Sequence, residues 1–175
     1  MKRHLMLDIE TLGNVPNSII ISISAVVFDD DFNEIDFFNE NLDTSQSISL
    51  GFKATESTLQ WWKEQNKETF EMCTKNQKPV REVLNNLFNF IDIHDIDFVY
   101  GNSVSFDCVL LNCYFDRLQI ERPWKFWQER CFRTFKNTFQ FSKVEFKGIP
   151  HFSLDDCRFQ IEQLKNICLE NNIKL

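Results

Sequence analysis

The hydrophobic positions along the chain follow two periods. Residues 3–9, RHLMLDI, predict a first strand, whose apolar run Leu5-Met6-Leu7 begins as a buried strand begins before Asp8 interrupts it. Residues 19–28, IIISISAVVF, alternate and are rich in β-branched residues, and they predict a second strand. The turn DDDFN follows, and EIDFFN at 34–39 predicts a third strand that closes a meander. The period then lengthens. Residues 55–73 predict one helix with Leu59 and Trp62 on one face. Pro79 opens a helix that runs to about Ile93, with apolar positions at Val83, Leu84, Leu87, Phe88 and Ile91. DFVYGN at 97–102 predicts a fourth strand, 105–118 a helix and 154–171 the final helix, while 128–140 reads as a short strand and then a short helix. Strands that lead, then helices alternating with further strand, predict an α/β fold with a sheet of mixed direction.

Composition narrows the picture. With 175 residues the chain is long enough for one ordinary domain, and a single domain over 1–175 is expected. The 19 Phe and 4 Trp must mostly fill a core, because a surface carrying them all would aggregate. No stretch marks a linker, and no apolar run approaches the length of a membrane span. The N-terminal Met-Lys-Arg-His leads straight into the first strand without the apolar segment of a signal peptide, so a cytoplasmic protein without membrane attachment is expected. Six cysteines lack CxxC or any other zinc spacing and are read as buried thiols of a reducing compartment. The net charge of −7 argues against strong sequence-independent binding to duplex nucleic acid. It leaves open an enzyme whose acids hold cations: four metal-bound carboxylates would account for −4 of the −7.

Candidate chemistry begins where the first strand ends, in HLMLDIETLG. Residues i and i+2 of a strand share a face, so Asp8 and Glu10 are neighbours. Two close carboxylates at the end of a buried strand either share a proton or bracket a cation, and oxygen ligands alone suit a hard ion such as Mg²⁺ or Mn²⁺. A strand end emerging into solvent would also account for them. Asp107, in YGNSVSFDCVLL, falls just past the fourth strand in the first turn of a helix, where open α/β sheets collect ligands and where a helix dipole also favours an acid. Asp156, in HFSLDDCRF, starts the last helix, and Ser153-x-x-Asp156 fits a capping pattern. Capping does not explain His151, five residues earlier and one of only three histidines. Asp155 lies about 100° round the helix from Asp156 and is read as solvated or as a support rather than a ligand.

Together, Asp8 and Glu10 in DIETLG, Asp107 in FD and H-x-x-x-x-D at His151 and Asp156 resemble the histidine-type DEDD 3′–5′ exonucleases. Tyrosine-type relatives carry Tyr four residues before the last Asp, where this chain has Phe152. STLQWWKEQ (57–65) and HFSLDDCRFQ resemble, within that superfamily, the phage exonuclease A and mycobacterial-type 3′–5′ exoribonuclease group, and the resemblance spans residues 5 to about 160. It departs at Ser153, where many relatives have Ala, and at Cys131, where an acid is more frequent. The resemblance implies a ribonuclease H-like fold and cleavage of single-stranded DNA or RNA from a free 3′ end, releasing nucleoside 5′-monophosphates. It also implies Asp8, Glu10, Asp107 and Asp156 as ligands of two Mg²⁺ or Mn²⁺ ions, and His151 as general base. Some relatives form dimers, which leaves a homodimer open.

Substrate contacts are expected at Thr11 and Leu12, in the loop that relatives use against the terminal nucleotide, and at Trp61. Trp62 shares a face with Leu59 and is assigned to the core, which frees Trp61 to stack on a base or to pack on another element. Between residues 130 and 151, Arg130, Arg133, Lys136, Lys143 and Lys147 interleave with five Phe against the single acid Glu145, and Lys143 and Lys147 are singled out as guides for substrate phosphates. Two other readings are carried. LDIETLG also resembles the nucleophile motif of haloacid dehalogenase-like phosphatases, which gives His151 no task. A non-catalytic module that binds nucleic acid or a polymerase would not need the five residues intact.

Overall fold

A computed structural model of the chain describes residues 1–175. β1 (Arg3–Thr11), β2 (Ile20–Asp29) and β3 (Glu34–Asn41) form the expected antiparallel meander. β4 (Phe98–Gly101) and β5 (Glu129–Cys131) then add in parallel on the other side of β1, giving the order β3-β2-β1-β4-β5. β1 is thus central, and from His4 onward each of its residues is buried. This is why its sequence shows an apolar run and not an alternation.

Helices cover both faces. α4 (Val80–His94) and α5 (Asp107–Leu118) pack with Leu5, Leu7 and Ile9 of β1 on one face in the larger core. α6 (Phe132–Thr138) and α7 (Ser153–Glu170) close the other face, against Met6, Val26, Phe28 and Tyr100. Each such fully buried side chain contributes about 1.5–3 kcal/mol. The remaining helices, α1 (Thr44–Ser49), α2 (Glu56–Glu64) and α3 (Lys67–Thr74), extend the first layer. No helix is long and apolar enough to cross a membrane.

Two expectations need correcting. The single helix over 55–73 is two, because the chain turns extended at Gln65 and Asn66 and the Asn66 side chain accepts the Glu68 N–H at 2.8 Å, starting α3. α1 was not expected; Asp43 caps it by accepting the N–H groups of Ser45 and Gln46.

Ser153 finds its reason in β2. Ser22 and Ser24 share the β2 face turned to α7, and Ser153 Oγ lies 3.3 Å from Ser22 Oγ and 2.7 Å from Ser24 Oγ. Ser24 donates its one proton to Asn39 Oδ1 at 2.9 Å, so it accepts from Ser153, which in turn accepts from Ser22. This buried chain of hydroxyls ties the start of α7 to the middle of the sheet. Ser153→Ala leaves the Ser22 hydroxyl buried without an acceptor and is expected to cost about 1–3 kcal/mol. Ser22→Ala in the same chain should recover part of that loss in urea denaturation. A double variant no more stable than Ser153→Ala alone would break the argument.

Candidate active site

The C-terminal ends of the interior strands β1 and β4 meet the N-terminal ends of α5 and α7 around a cavity of about 320 Å³. Asp8, Glu10, Asp107, Asp156 and His151 all line it. β1 delivers the first pair on the same face as Met6, opposite Ser24 and Ser22, with a bulge after Glu10. Asp107 is the first residue of α5, and its Oδ2 accepts the Ser103 N–H at 2.8 Å. Gly101 at the end of β4 leaves the space it needs, since a Cβ there would lie 3.1 Å from Asp107 Oδ2. Asp156 sits in the first turn of α7, where Gln160 one turn later donates to Asp8 Oδ1 at 3.0 Å.

Burial and mutual repulsion dominate the electrostatics. Asp8 is held well above the usual carboxylate range, first by burial and then by Asp107, Glu10 and Asp156. Burial, then Asp156 and Asp107, do the same to Glu10. Burial pushes Asp107 up to about 7 against the Ser103 N–H, and Asp156 up to about 6. Four such groups cannot all ionise at neutral pH without a counter-charge. The donor set is all oxygen, and Gln160 Oε1 beside it is buried without a partner. These features fit hard divalent cations. Burial also lowers the pKa of His151. Glu10, His151 and Asp156 can each bring a ligand atom within 4.8 Å of the others, so the imidazole stands at the edge of the acid cluster.

The expected substrate residues are placed unevenly. Trp61 is partly exposed, and its ring stands edge-on to His151 with centroids 4.7 Å apart. Trp62 is buried, and its indole donates to the Thr11 carbonyl at 2.8 Å. Thr11 turns its hydroxyl to the Gly13 carbonyl, and Leu12 is pinned through its backbone to Ile19 and Thr55, so neither side chain lines the acid cavity. Lys143 and Lys147 are exposed and lie outside it; Lys147 borders a separate depression with Arg158 and Glu162. Arg133 and Lys136 line the acid cavity instead, neither in an ion pair with a carboxylate. They stand one turn apart on α6, a spacing visible in the sequence once a helix is assigned there. Gln160 was not singled out, although it follows Asp156 by one helical turn. Cys131 ends β5 outside the cavity. Burial raises its thiol pKa, yet hydrogen bonds from Thr134 and nearby backbone N–H groups outweigh this and hold it below the ordinary value.

Residues 3–168 match the model of the 3′–5′ exoribonuclease Rv2179c-like domain. The chain belongs to that family. It is therefore a 3′–5′ exonuclease, and family membership implies dependence on a divalent metal. The phosphatase reading of LDIETLG is thereby set aside. An exodeoxyribonuclease of Enterobacteria phage T4 is 24% identical over 197 residues, covering 91% of this chain and 86% of that protein. The nuclease domain of 3′hExo, a DEDDh family member bound to rAMP, superposes with a TM-score of 0.71 at 12% identity, over 99% of this chain and 94% of that one. Exonuclease I of E. coli, in complex with a 5cy-dT13 oligonucleotide, gives 0.65 at 14% identity over 98% of this chain, which spans 42% of its length. These two likenesses show the shared ribonuclease H-like fold.

The raised carboxylates make stability depend on pH and metal. A raised folded-state pKa contributes stability that is fully present below the unfolded values near 3.8 and 4.5. That contribution is lost as the pH rises through about 6 and 7. Asp8→Asn should therefore raise the metal-free Tm relative to the parent at pH 8, with the difference shrinking towards pH 5. Mn²⁺ at about a hundred times its Kd should raise the parent Tm by about 5–10 °C at pH 8 and the variant Tm by much less. Equal Mn²⁺ shifts for the two proteins, read by scanning calorimetry, would remove Asp8 from the metal site.

Proposed function

We propose that residues 1–175 work as one exonuclease domain that removes nucleoside 5′-monophosphates from the free 3′ end of single-stranded nucleic acid. In this reading Asp8, Glu10, Asp107 and Asp156 hold two Mg²⁺ or Mn²⁺ ions and His151 is the general base. The observation that carries it is the convergence of four carboxylates of raised pKa and one histidine on a single cavity, in a chain of this family. Bound divalent ions stabilise the attacking and leaving oxygens of an in-line displacement at phosphorus. The chain's own residues do the rest. Gln160 fixes the orientation of the Asp8 carboxylate. Burial favours neutral His151, the form that accepts a proton from the attacking water. Arg133 and Lys136, unpaired and facing the cavity, meet the phosphates of the strand beside the acids. Trp61 and the Thr11–Leu12 loop flank the terminal nucleotide, and Lys143 and Lys147 attract more distant phosphates. The family is described as exoribonucleolytic and the phage relative as an exodeoxyribonuclease, so the reading takes RNA and DNA strands alike.

The assignment of His151 is tested by comparing metal affinity with rate in one variant. His151→Ala is expected to keep Mn²⁺ affinity within a few-fold, while kcat on 5′-labelled oligonucleotides falls by about 10²–10⁴. If Mn²⁺ binding by calorimetry falls as far as it does in Asp8→Asn, His151 is a ligand and the proton route is wrong.

The cationic residues divide by substrate length. Arg133→Gln with Lys136→Gln should raise KM for dinucleotides and longer strands alike, and flatten the salt slope of oligonucleotide binding by about 1.4, at about 0.7 per phosphate contact on a single strand. Lys143→Ala with Lys147→Ala should raise KM for long strands and leave dinucleotide cleavage unchanged. An unaltered salt slope in either pair would return that pair to the solvated surface.

A further inference from the structure

The segment that carries His151 has no regular structure, yet it is fixed at several points. The Ile149 carbonyl accepts the Phe152 N–H at 3.1 Å, so Ile149, Pro150, His151 and Phe152 form a tight turn. His151 occupies its third position with φ +64°, a left-handed backbone that such turns usually leave to Gly or Asn. A histidine persists there only if the surroundings over-determine the turn.

Asp155 supplies the hold at the base of the turn. Its Oδ2 accepts the N–H of Ile149, the first residue of the turn, at 2.9 Å. The same carboxylate lies against Gly148, where φ is +136° and a Cβ would come 2.6 Å from Oδ2. Only a glycine lets the chain pass so close. Asp155 makes no ion pair and does not line the acid cavity; the nearby Arg158 is spent on Glu34. Two weaker contacts act on the histidine itself. The Trp61 ring meets the imidazole edge-on at an interplanar angle of 83°, and Cys73 Sγ lies 3.6 Å from the His151 carbonyl oxygen.

We propose that Asp155 is the positioning residue of His151: its carboxylate pins the Ile149–Phe152 turn to the first turn of α7 and so sets the imidazole beside the acids. This rests on the reading of His151 as general base. Asp155 and Asp156 then share one helix start: Asp156 faces the cavity and its carboxylate also interacts with the His151 backbone N–H, while Asp155 holds the base of the strained turn. A misplacement of about 1 Å can cost about a hundredfold in rate, so the anchor matters although it touches no reacting atom.

The experiment is a double-mutant cycle on the full chain, with 5′-labelled single-stranded oligo-dT and oligo-U and saturating Mn²⁺. Asp155→Ala is expected to lower kcat about ten- to a hundredfold, with KM, Mn²⁺ affinity and fold unchanged. Asp155→Asn keeps an oxygen for the Ile149 N–H and should stay within about threefold of the parent. Gly148→Ala, which pushes on the same contact from the other side, should lose rate like Asp155→Ala. Asp155→Ala should add no further loss in a His151→Ala background, because both changes remove one function. Full kcat in Asp155→Ala overturns the proposal. So does lost Mn²⁺ affinity in both Asp155 variants, which would make Asp155 a ligand, or a full further loss in the His151→Ala background. An undiminished rate in His151→Ala itself would show that the general-base reading, and the proposal with it, is wrong; loss in His151→Ala with full rate in Asp155→Ala refutes the positioning role alone.

Discussion

The enclosure of four carboxylates in one cavity, three of them buried and Asp156 half-buried, is the constraint on which the rest of this structure depends. Asp8, Glu10 and Asp107 are almost wholly enclosed; burial raises the proton affinity of each, and Asp107 and Asp156 add to it at both Asp8 and Glu10. A fold optimised for stability alone would not place them at the end of its central strand. Their presence therefore shapes what surrounds them. β1 needs dense apolar burial on both faces before it reaches Asp8, Gly101 must lack a side chain for Asp107 to fit, and Gln160 must commit its amide to Asp8. The cost is concentrated in one cavity and is offset by the cores on either side of the sheet.

α7 carries much of this organisation. Its first turns bring Ser153, Asp155, Asp156 and Gln160 to four different tasks within eight residues. Ser153 joins the hydroxyl chain of β2, Asp155 holds the Ile149 N–H, Asp156 faces the cavity, and Gln160 reaches back to Asp8. The helical period separates these directions while keeping their origins within one rigid element. Moving α7 relative to β1 would disturb the acid cluster, the placement of His151 and the core together, which is why the buried serine link is more than local packing.

Much of this was legible in the sequence, for identifiable reasons. The meander, α4, β4 and α7 follow from periodicity, because burial of one or both faces leaves a direct trace in residue type. The cavity's five principal residues were found because strand geometry places Asp8 beside Glu10 and because acids and a histidine gathered at element boundaries. Asn66 breaking the expected long helix carried a local signal, a good N-cap residue inside an amphipathic run. The contacts of Trp61 with His151 and of Trp62 with Thr11 carried none, since they join residues 90 and 51 positions apart. Lys143 and Lys147 show a different limit. Composition marked a basic segment, but composition does not say which of its residues face a site, and the helical turn of α6 brings Arg133 and Lys136 to it.

The two signs of charge in the cavity solve complementary problems. An acid cluster alone would repel a polyanionic strand, while a basic cleft alone would bind it without holding cations. Here the acids line the part of the cavity built by β1, α5 and α7, and the cations come from α6. Arg133 lowers the proton affinity of Asp107 and also opposes a charge on Lys136, so neither sign is neutralised by an ion pair within the wall. Both remain available to a ligand that brings its own mixture of charge, divalent cation and phosphodiester together. The left-handed backbone at His151 belongs to the same logic. A histidine on the regular part of α7 would be fixed by helix geometry, whereas a turn just before the helix can lean over the cavity and meet Trp61. That reach costs backbone strain, and the Asp155 carboxylate, in the first turn of α7 where an acid is favoured, accepts the Ile149 N–H at the base of the turn.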